Sequence, residues 1–199
     1  MYRKTWMQVN LDKIEHNLIQ LKEICQKKII AVLKADAYGC GDIHVARAVL
    51  EAGAEMIAVS SLDEALVLRN EGYEGKLLIL GATEANDIPI LIKYGISCTA
   101  YSTEWVHDAA KQNCKGLHVH LKVDTGMSRI GFRTIDELHS AFEKLQVASC
   151  DMEGIFTHFC CADSDLDFTN RQFSKFKEAV ESFSYTFPWV HCDNSDATA

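Results

Sequence analysis

The sequence predicts an α/β fold built around a parallel sheet, and three observations support this prediction. Short runs rich in Val, Ile and Leu recur along the chain, and longer stretches with apolar residues at helical spacing lie between them. Several of these stretches begin at Asp or Thr and two end at Gly, as capped helices do. The sequence has two prolines and no Ser/Gly-rich linker, so residues 1–199 are predicted to form one domain.

Seven strand candidates follow one another along the chain, at 29–35, 56–60, 76–80, 97–100, 118–123, 154–158 and 189–193. Helical patterns cover 42–53, 62–72, 84–95, 103–115, 134–148 and 167–183. A βα series of this length forms either a doubly wound sheet or a TIM-type (β/α)8 barrel. Seven units rather than eight predict an open barrel, incomplete at its C-terminus. Because no helix pattern follows the last strand, we expect the chain to end before the barrel closes.

Composition and charge exclude several classes of protein. The net charge of −8 argues against a nucleic-acid surface, which is normally basic. No apolar run approaches the length of a membrane span, and the N-terminus does not look like a secretory signal, so we predict a cytoplasmic protein that binds a small molecule. The eight cysteines are expected to be reduced, since several lie inside apolar runs.

The segment IIAVLKADAYGCGD places Lys34 at the carboxyl end of a strand, before a turn through Tyr38, Gly39 and Gly41. Catalytic groups of βα barrels lie at that end of the strands. A lysine flanked by apolar residues is predicted to be partly desolvated, which favours the neutral amine that Schiff-base chemistry requires. The alternative is a strand-end lysine that extends into water.

Three further strand ends carry polar side chains. HVHLKVDTGMSRIGF presents Arg129 on a Gly-containing turn, GIFTHFCCADSD ends a strand at His158, and WVHCDNSDATA places Asn194 and Ser195 after the last strand. Hydroxyl and backbone N–H groups in such a position can bind phosphate. Each segment taken alone is also typical of an ordinary turn or of a structural histidine.

Zinc binding is a further alternative, because Cys and His ligands cluster late in the chain, at His158, Cys160, Cys161, Asp163, His191 and Cys192. No C-x-x-C spacing occurs, and Cys160 and Cys161 would point to opposite sides if the strand continued through them. We therefore predict no metal site and assign the thiols to packing.

Taken together, the four strand-end segments resemble the motifs of the alanine racemase family, in the family's order. KADAYGCG resembles the cofactor-lysine signature, except that Cys40 stands where the family often has His. The pattern Lys-x-Asp-Thr-Gly-Met-x-Arg-x-Gly is matched from Lys122 to Gly131. The remaining family positions are matched by Thr157, His158, Ala162, Asp163, Gln172, Phe176, His191, Asn194 and Ser195.

The resemblance implies a cofactor, pyridoxal 5'-phosphate, and a role for each matched residue. Lys34 would hold the cofactor covalently and act as the catalytic base on one face. Arg129 would hydrogen-bond the phenolic oxygen, and Lys122 is a candidate for carbamylation, which would turn its repulsion of Arg129 into a charge-assisted pair. The other implied contacts are Tyr38, Asn194 and Ser195 with the phosphate, His158 with the pyridine face, and His191 as a supporting residue.

The resemblance also implies an isomerase that interconverts L- and D-alanine, supplies D-alanine for cell-wall peptidoglycan and works as a homodimer. In the family, the opposite-face base is a tyrosine from a C-terminal β-domain, and an arginine on the last barrel strand contacts the pyridine nitrogen. Neither is recognisable here, so we expect residues 1–199 alone to be nearly inactive.

Several alternative functions stay open at this point. They are a serine racemase of the same family and a non-catalytic barrel that binds pyridoxal phosphate. The Tyr-Gly turn and the Asp-Thr-Gly-Met-Ser-Arg segment favour a racemase over that non-catalytic barrel and over related decarboxylases. A barrel that uses a Schiff-base lysine without this cofactor is a third class, which binding of the cofactor would exclude.

Overall fold

The structure, a computed structural model, describes residues 4–198, which form seven strands that alternate with helices. The strands are β1 Ile30–Val32, β2 Met56–Val59, β3 Leu77–Ile79, β4 Cys98–Ala100, β5 His118–Lys122, β6 Asp151–Phe156 and β7 Trp189–His191. The helical elements are α1 Leu11–Cys25, α2 Lys34–Gly39, α3 Asp42–Glu51, α4 Leu62–Asn70, α5 Ile88–Tyr94, α6 Thr103–Ala109, α7 Ile135–Val147, α8 Leu166–Glu181 and α9 Ser195–Thr198, with a 3-10 turn at Ala85–Asp87.

The strands are parallel and pair in chain order from β1 to β7. A single bridge between Leu78 and Ser97 joins β3 to the start of β4 and makes the order continuous. Within residues 4–198, β1 and β7 are the two end strands and do not pair with each other. The prediction of an incomplete (β/α) barrel is therefore confirmed.

Alternating side chains of the strands build two apolar layers, as a barrel requires. Ile57, Val59 and their counterparts on the other strands face the helices and belong to the main core. On the opposite face, Met56, Ala58, Leu78 and Trp189 pack together inside the barrel. The inner layer is apolar on the first three strands and becomes polar on β5, at His120 and Lys122, which are buried.

Local sequence explains where the helices begin. Thr134 caps α7 through a reciprocal capping box with Glu137, and Ser61, Ser102 and Asp165 accept hydrogen bonds from the first turns of α4, α6 and α8. These caps fix the helices at the ends of the loops that follow the strands. No helix among the described residues is long and apolar enough to cross a membrane.

Several features differ from the sequence prediction. Helix α1, Leu11–Cys25, was not predicted, although Asn10 caps it and Leu18 is buried in the core. The strand predicted at 29–35 ends at Val32, so Lys34 lies in a turn and not in the strand. The single turn α9, Ser195–Thr198, follows the last strand, after which no helix was predicted. The seven strands and six predicted helices otherwise overlap the predicted ranges, mostly with shorter bounds, although β6 begins at Asp151 rather than at 154.

Candidate functional site

The predicted site residues lie at the carboxyl ends of the strands, which we call the mouth of the barrel. Lys34 and Tyr38 follow β1, Arg129 follows β5, His158 follows β6, and Asn194 and Ser195 follow β7. Lys122 and His191 are the last residues of β5 and β7. Parallel strands therefore bring segments that are far apart in sequence to one end of the fold.

The turn that carries Lys34 has an unusual backbone. Ala35, Asp36, Ala37 and Tyr38 all have left-handed φ values between 50° and 57°, a region that side chains other than glycine adopt at a cost. Glu64 of α4 accepts a 2.8 Å hydrogen bond from the N–H of Ala35. The left-handed turn is thus held from outside, by a neighbouring helix.

Lys34 is exposed, and its Nζ lies 5.8 Å from the centroid of the Tyr38 ring, itself 66% exposed. The prediction that apolar neighbours desolvate Lys34 is wrong. Leu33 and Ala37 are buried, but the strand ends before the lysine, so the turn directs those two side chains inward and leaves Lys34 accessible. The lysine is free to meet a ligand.

Asp124 shapes the turn that carries Arg129. Its carboxylate accepts hydrogen bonds from the N–H groups of Gly126 and Ser128, at 3.2 and 2.9 Å, and it is paired with Arg133 at 3.2 Å. The turn returns to the end of β5 at Gly131, where any Cβ would clash with the backbone of Lys122 and Asp124. Only glycine fits there.

Lys122 is a buried cation at the end of β5. Its side chain is 3% exposed, and Nζ donates a 2.8 Å hydrogen bond to the carbonyl of Val123. Burial lowers the pKa of Lys122 to about 8; Asp124 opposes this shift and the positive charge of Arg129 adds to it. The repulsion predicted between Lys122 and Arg129 is therefore present.

His158 lies where the positive charges of the mouth meet. Burial lowers the pKa of its ring, and the charges of Arg129, Lys122 and Lys34 lower it further. Just before His158, the N–H of Thr157 donates to the carbonyl of His191 and continues the pairing of β6 with β7. The mouth thus gathers three cations around a half-buried imidazole.

A buried hydrogen-bond network supports the His158 segment. Thr157 donates to the carbonyl of Val123, the hydroxyls of Thr125 and Thr157 lie 2.8 Å apart, and Gln172 of α8 donates to Thr125. Gln172, 1% exposed, also accepts from the N–H of Cys160. The predicted Gln172 therefore ties α8 to the ends of β5 and β6.

His191 is joined to a series of buried polar side chains that sequence reasoning missed. Its Nε2 lies 3.0 Å from Nδ1 of His120, Nε2 of His120 lies 3.2 Å from Glu153, and Ser97 donates a 2.6 Å hydrogen bond to Glu153. We call these four residues the interior chain. The period of two in a strand could have placed His120 on the same face as Lys122. Glu153 is an extra residue at a bulge, for which the pattern gives no signal.

Asn194 and Ser195 lie at the start of the short helix α9. The side chain of Asn194 accepts from the N–H of Ala197 at 3.0 Å and donates to the carbonyl of Phe159 at 3.2 Å. These bonds commit the Asn194 side chain to holding the turn, whereas Ser195 is exposed. Contact of both residues with a phosphate stays a prediction.

The thiols of Cys160 and Cys161 lie close together, unlike the arrangement that a continued strand would give. Their Sγ atoms lie 3.5 Å apart and not on opposite sides, because the strand ends at Phe156 and the thiols follow in a turn. Among residues 4–198, no group of three or more His, Cys, Asp or Glu side chains is arranged to hold a metal ion.

The chemistry of the mouth fits pyridoxal phosphate. An amine at Lys34 is accessible to an aldehyde, and three clustered cations favour a ligand that carries negative charge. Lys122 and Arg129 repel each other, and the negative charge of Asp124 offsets this repulsion only in part. A phosphate and a phenolate are groups of the required sign.

Comparisons with known proteins give consistent matches. A family model described as alanine racemase, N-terminal domain, matches residues 9–199. Alanine racemase 1 of Oceanobacillus iheyensis is 42% identical over 99% of this chain and 55% of its own length, and alanine racemase 1 of Bacillus subtilis is 40% identical over 98% and 52%. The chain thus spans about half the length of the curated relatives it matches.

Solved structures agree in fold. The alanine racemase from Bacillus anthracis with bound L-Ala-P superposes with a TM-score of 0.91, at 36% identity, over 100% of this chain and 54% of that one. A histidine racemase from Leuconostoc mesenteroides subsp. sake superposes with a TM-score of 0.88, at 30% identity, over 94% of this chain and 52% of that one. The same fold therefore occurs in racemases named for different amino acids.

Proposed function

The chain belongs to the alanine racemase family, and from this premise we propose that it is the cofactor-binding barrel of a racemase that interconverts L- and D-alanine. The cofactor of the family is pyridoxal 5'-phosphate. The observation that supports its use here is an accessible Lys34 at the same end of the barrel as Lys122, Arg129 and His158, with the three positive charges lowering the pKa of His158. When bound, the cofactor draws electron density from the α-carbon of an amino acid, so that the α-proton becomes acidic.

We assign a separate role to each side chain of the mouth. Lys34 would hold the cofactor through its Nζ, and the same amine would accept or return the α-proton on one face. Arg129 orients the cofactor by donating to its phenolic oxygen. The His158 ring, kept neutral by its lowered pKa, packs against the pyridine without adding charge.

The phosphate is assigned to the part of the mouth formed by the turns after β1 and β7. Tyr38 and Ser195 are exposed, so their hydroxyls are free to donate to it. Asn194 acts through the turn that its side chain holds at the start of α9. His191 and a carbamylated Lys122 complete the assignment as supporting residues, the second by orienting Arg129.

The proposed activity is that of a protein of the relatives' length, and the chain of 199 residues alone is expected to turn over little or no substrate. A cytoplasmic location, a homodimer and the supply of D-alanine to the cell wall stay predictions for that protein. The relatives' names favour alanine over serine as the substrate.

Borohydride trapping tests the cofactor assignment. Pyridoxal phosphate is added to the chain, its absorption band is recorded, and reduction is followed by mapping the modified peptide by mass. The matched control is Lys93→Ala. Lys93 lies 5.0 Å over the ring of Tyr94, much as Lys34 lies over the ring of Tyr38, but Lys93 is in the last turn of α5 and not at the mouth.

We expect modification at Lys34 in the wild type and in Lys93→Ala, and none in Lys34→Ala. Trapping spread over surface lysines, or an equal yield in Lys34→Ala, would refute the assignment. Racemase activity is then measured on the full-length protein with L-alanine and L-serine, and faster turnover of serine would overturn the choice of substrate.

A further inference from the structure

The interior chain crosses the barrel from the floor to the mouth. Ser97 lies just before β4, Glu153 lies at the bulge in the middle of β6, and His120 lies in the middle of β5, with 0% of its side chain exposed. His191 ends β7, where its ring stacks on Phe156 at 4.7 Å with an interplanar angle of 5°. The chain therefore connects a carboxylate in the barrel interior to a ring at the proposed cofactor site.

The backbone makes room for this connection. Strand β6 lies between β5 and β7, and a side chain at Gly154 would clash with the ring of His120. With glycine at that position, His120 reaches across β6 to His191 at 3.0 Å. Stacking on Phe156 keeps the His191 ring in the orientation that this contact needs.

Glu153 fixes the direction of the protons in the chain. Ser97 donates to it, and the ammonium of Lys76 lies 3.5 Å from its other oxygen, so donors surround the carboxylate. Burial alone would raise the pKa of Glu153, but the hydrogen bonds from His120 and Ser97 outweigh it and lower the pKa to about 2. An ionised carboxylate only accepts, so Nε2 of His120 must carry a proton.

The same rule then decides the state of His191. His120 is kept neutral by burial, with help from the charges of Lys76 and His118, although Glu153 acts in the opposite direction. A neutral ring protonated at Nε2 has a lone pair at Nδ1, which accepts the proton of the nearest donor. That donor is Nε2 of His191, because the two nitrogens are 3.0 Å apart.

We propose that Glu153 and His120 are positioning residues, which hold His191 as the neutral Nε2–H tautomer and leave its Nδ1 as a hydrogen-bond acceptor at the cofactor site. A second-layer hydrogen bond commonly sets which nitrogen of a functional histidine is protonated. Burial, together with the charge of Lys122, separately lowers the pKa of His191, so the ring adds no further positive charge to the mouth. The proposal relies on the proposed function only in calling this place a cofactor site.

The tautomer can be measured directly, in the chain without cofactor. Histidine labelled with ¹⁵N gives different shifts for protonated and unprotonated ring nitrogens, and the signals of His191 are assigned by their loss in His191→Gln. We expect protonated Nε2 and unprotonated Nδ1, with the other tautomer at least about tenfold less populated, since it would leave two acceptors facing each other.

Two variants separate positioning from packing. Glu153→Gln keeps the shape of the side chain, and its carbonyl is expected to face the donor Lys76. Its amide then donates to Nε2 of His120, so the His191 tautomer is expected to invert. Ser97→Ala removes a different hydrogen bond from the same carboxylate and should leave the tautomer ratio within about twofold of wild type.

Protonation of His191 at Nδ1 in the wild type, in either the neutral or the doubly protonated ring, overturns the proposal. An unchanged ratio in folded Glu153→Gln does the same. If that variant does not fold, the wild-type spectrum alone decides. Because no cofactor is added, failure of pyridoxal phosphate to bind would refute the proposed function and leave this test intact.

Discussion

Replacing Glu64 by alanine tests how the turn that carries Lys34 is held. Three donors converge on this carboxylate, namely the N–H of Ala35 and both the N–H and the hydroxyl of Ser60, each at 2.8 Å. Burial acts to raise the pKa of Glu64, but these hydrogen bonds outweigh it and lower the pKa. The carboxylate thus joins the end of β1, the end of β2 and the first turn of α4.

The size of the effect follows from these bonds. Glu64 is only half-buried, so water can satisfy the freed N–H groups, and each lost bond is worth about 0.7 kcal/mol, near the low end for proteins. Three bonds give about 2 kcal/mol, or roughly a thirtyfold change in an equilibrium constant. The left-handed residues from Ala35 to Tyr38 each cost about 1 kcal/mol, so the turn has little stability to spare once Glu64 is removed.

The assay is a titration with pyridoxal phosphate, followed by absorption. We expect Glu64→Ala to weaken binding by about thirtyfold, and the amide of Ala35 to exchange its hydrogen faster by a similar factor. Asp63→Ala is the matched control, because Asp63 lies in the same first turn, carries the same charge and is exposed. Binding by Glu64→Ala within twofold of Asp63→Ala, with the fold intact by circular dichroism, would refute the reasoning.

Three further predictions concern the barrel interior. Gly154→Ala should lower the free energy of unfolding by about 1–3 kcal/mol in urea, because the added methyl group meets the ring of His120. Burial lowers the pKa values of His120, His158 and His191, so below about pH 6.5 these rings bind protons in the unfolded chain but not in the folded chain. The free energy of unfolding should therefore be at its full value above about pH 6.5 and fall below it, by up to roughly 1.4 kcal/mol per pH unit for each ring. Lys122, with a pKa of about 8, should be partly neutral near pH 8, and the neutral amine should add carbon dioxide. With labelled bicarbonate this carbamate should give a ¹³C signal that is absent in Lys122→Met.

Each of these has a result that would contradict it. Gly154→Ala as stable as wild type would mean that His120 moves freely, and the interior chain would lose its geometric basis. A free energy of unfolding that stays flat from pH 7.5 to 5.5, or a slope unchanged in His158→Gln, would mean that the rings titrate normally. A carbamate signal that persists in Lys122→Met would assign the modification to another amine.

The order of strands and helices could be predicted from the sequence because both depend on local periodicity. The apolar runs of β2 and β3 are buried on both faces, as their composition indicated, and the capping residues of α4, α6 and α7 are adjacent to the helices they start. Helix α1 was missed although its signal is present, since Leu11, Ile14, Leu18 and Leu21 recur at helical spacing after the capping residue Asn10.

Motifs in the sequence could predict which residues lie at the site, but they could not predict the contacts that these residues make. Sequence placed Lys34, Arg129 and His158 at strand ends, which is correct, but it also predicted a desolvated Lys34, which is exposed. Exposure depends on where the strand stops and how the next turn twists. The partnership of His120 with Glu153 depends on a bulge, which shifts the register by one residue and has no periodic signature.

The distribution of charge explains how a chain of net charge −8 can bind an anionic cofactor. Three carboxylates on the loops and helix that shape the mouth accept hydrogen bonds from backbone N–H groups. Asp36 accepts from the N–H of Asp42, Glu64 from Ala35 and Ser60, and Asp124 from two amides of its turn. These carboxylates shape the loops that present Lys34 and Arg129, and the N–H dipoles that they accept offset part of their negative charge. Because short-range fields dominate over net charge at physiological salt, the mouth attracts a phosphate although the molecule as a whole is acidic.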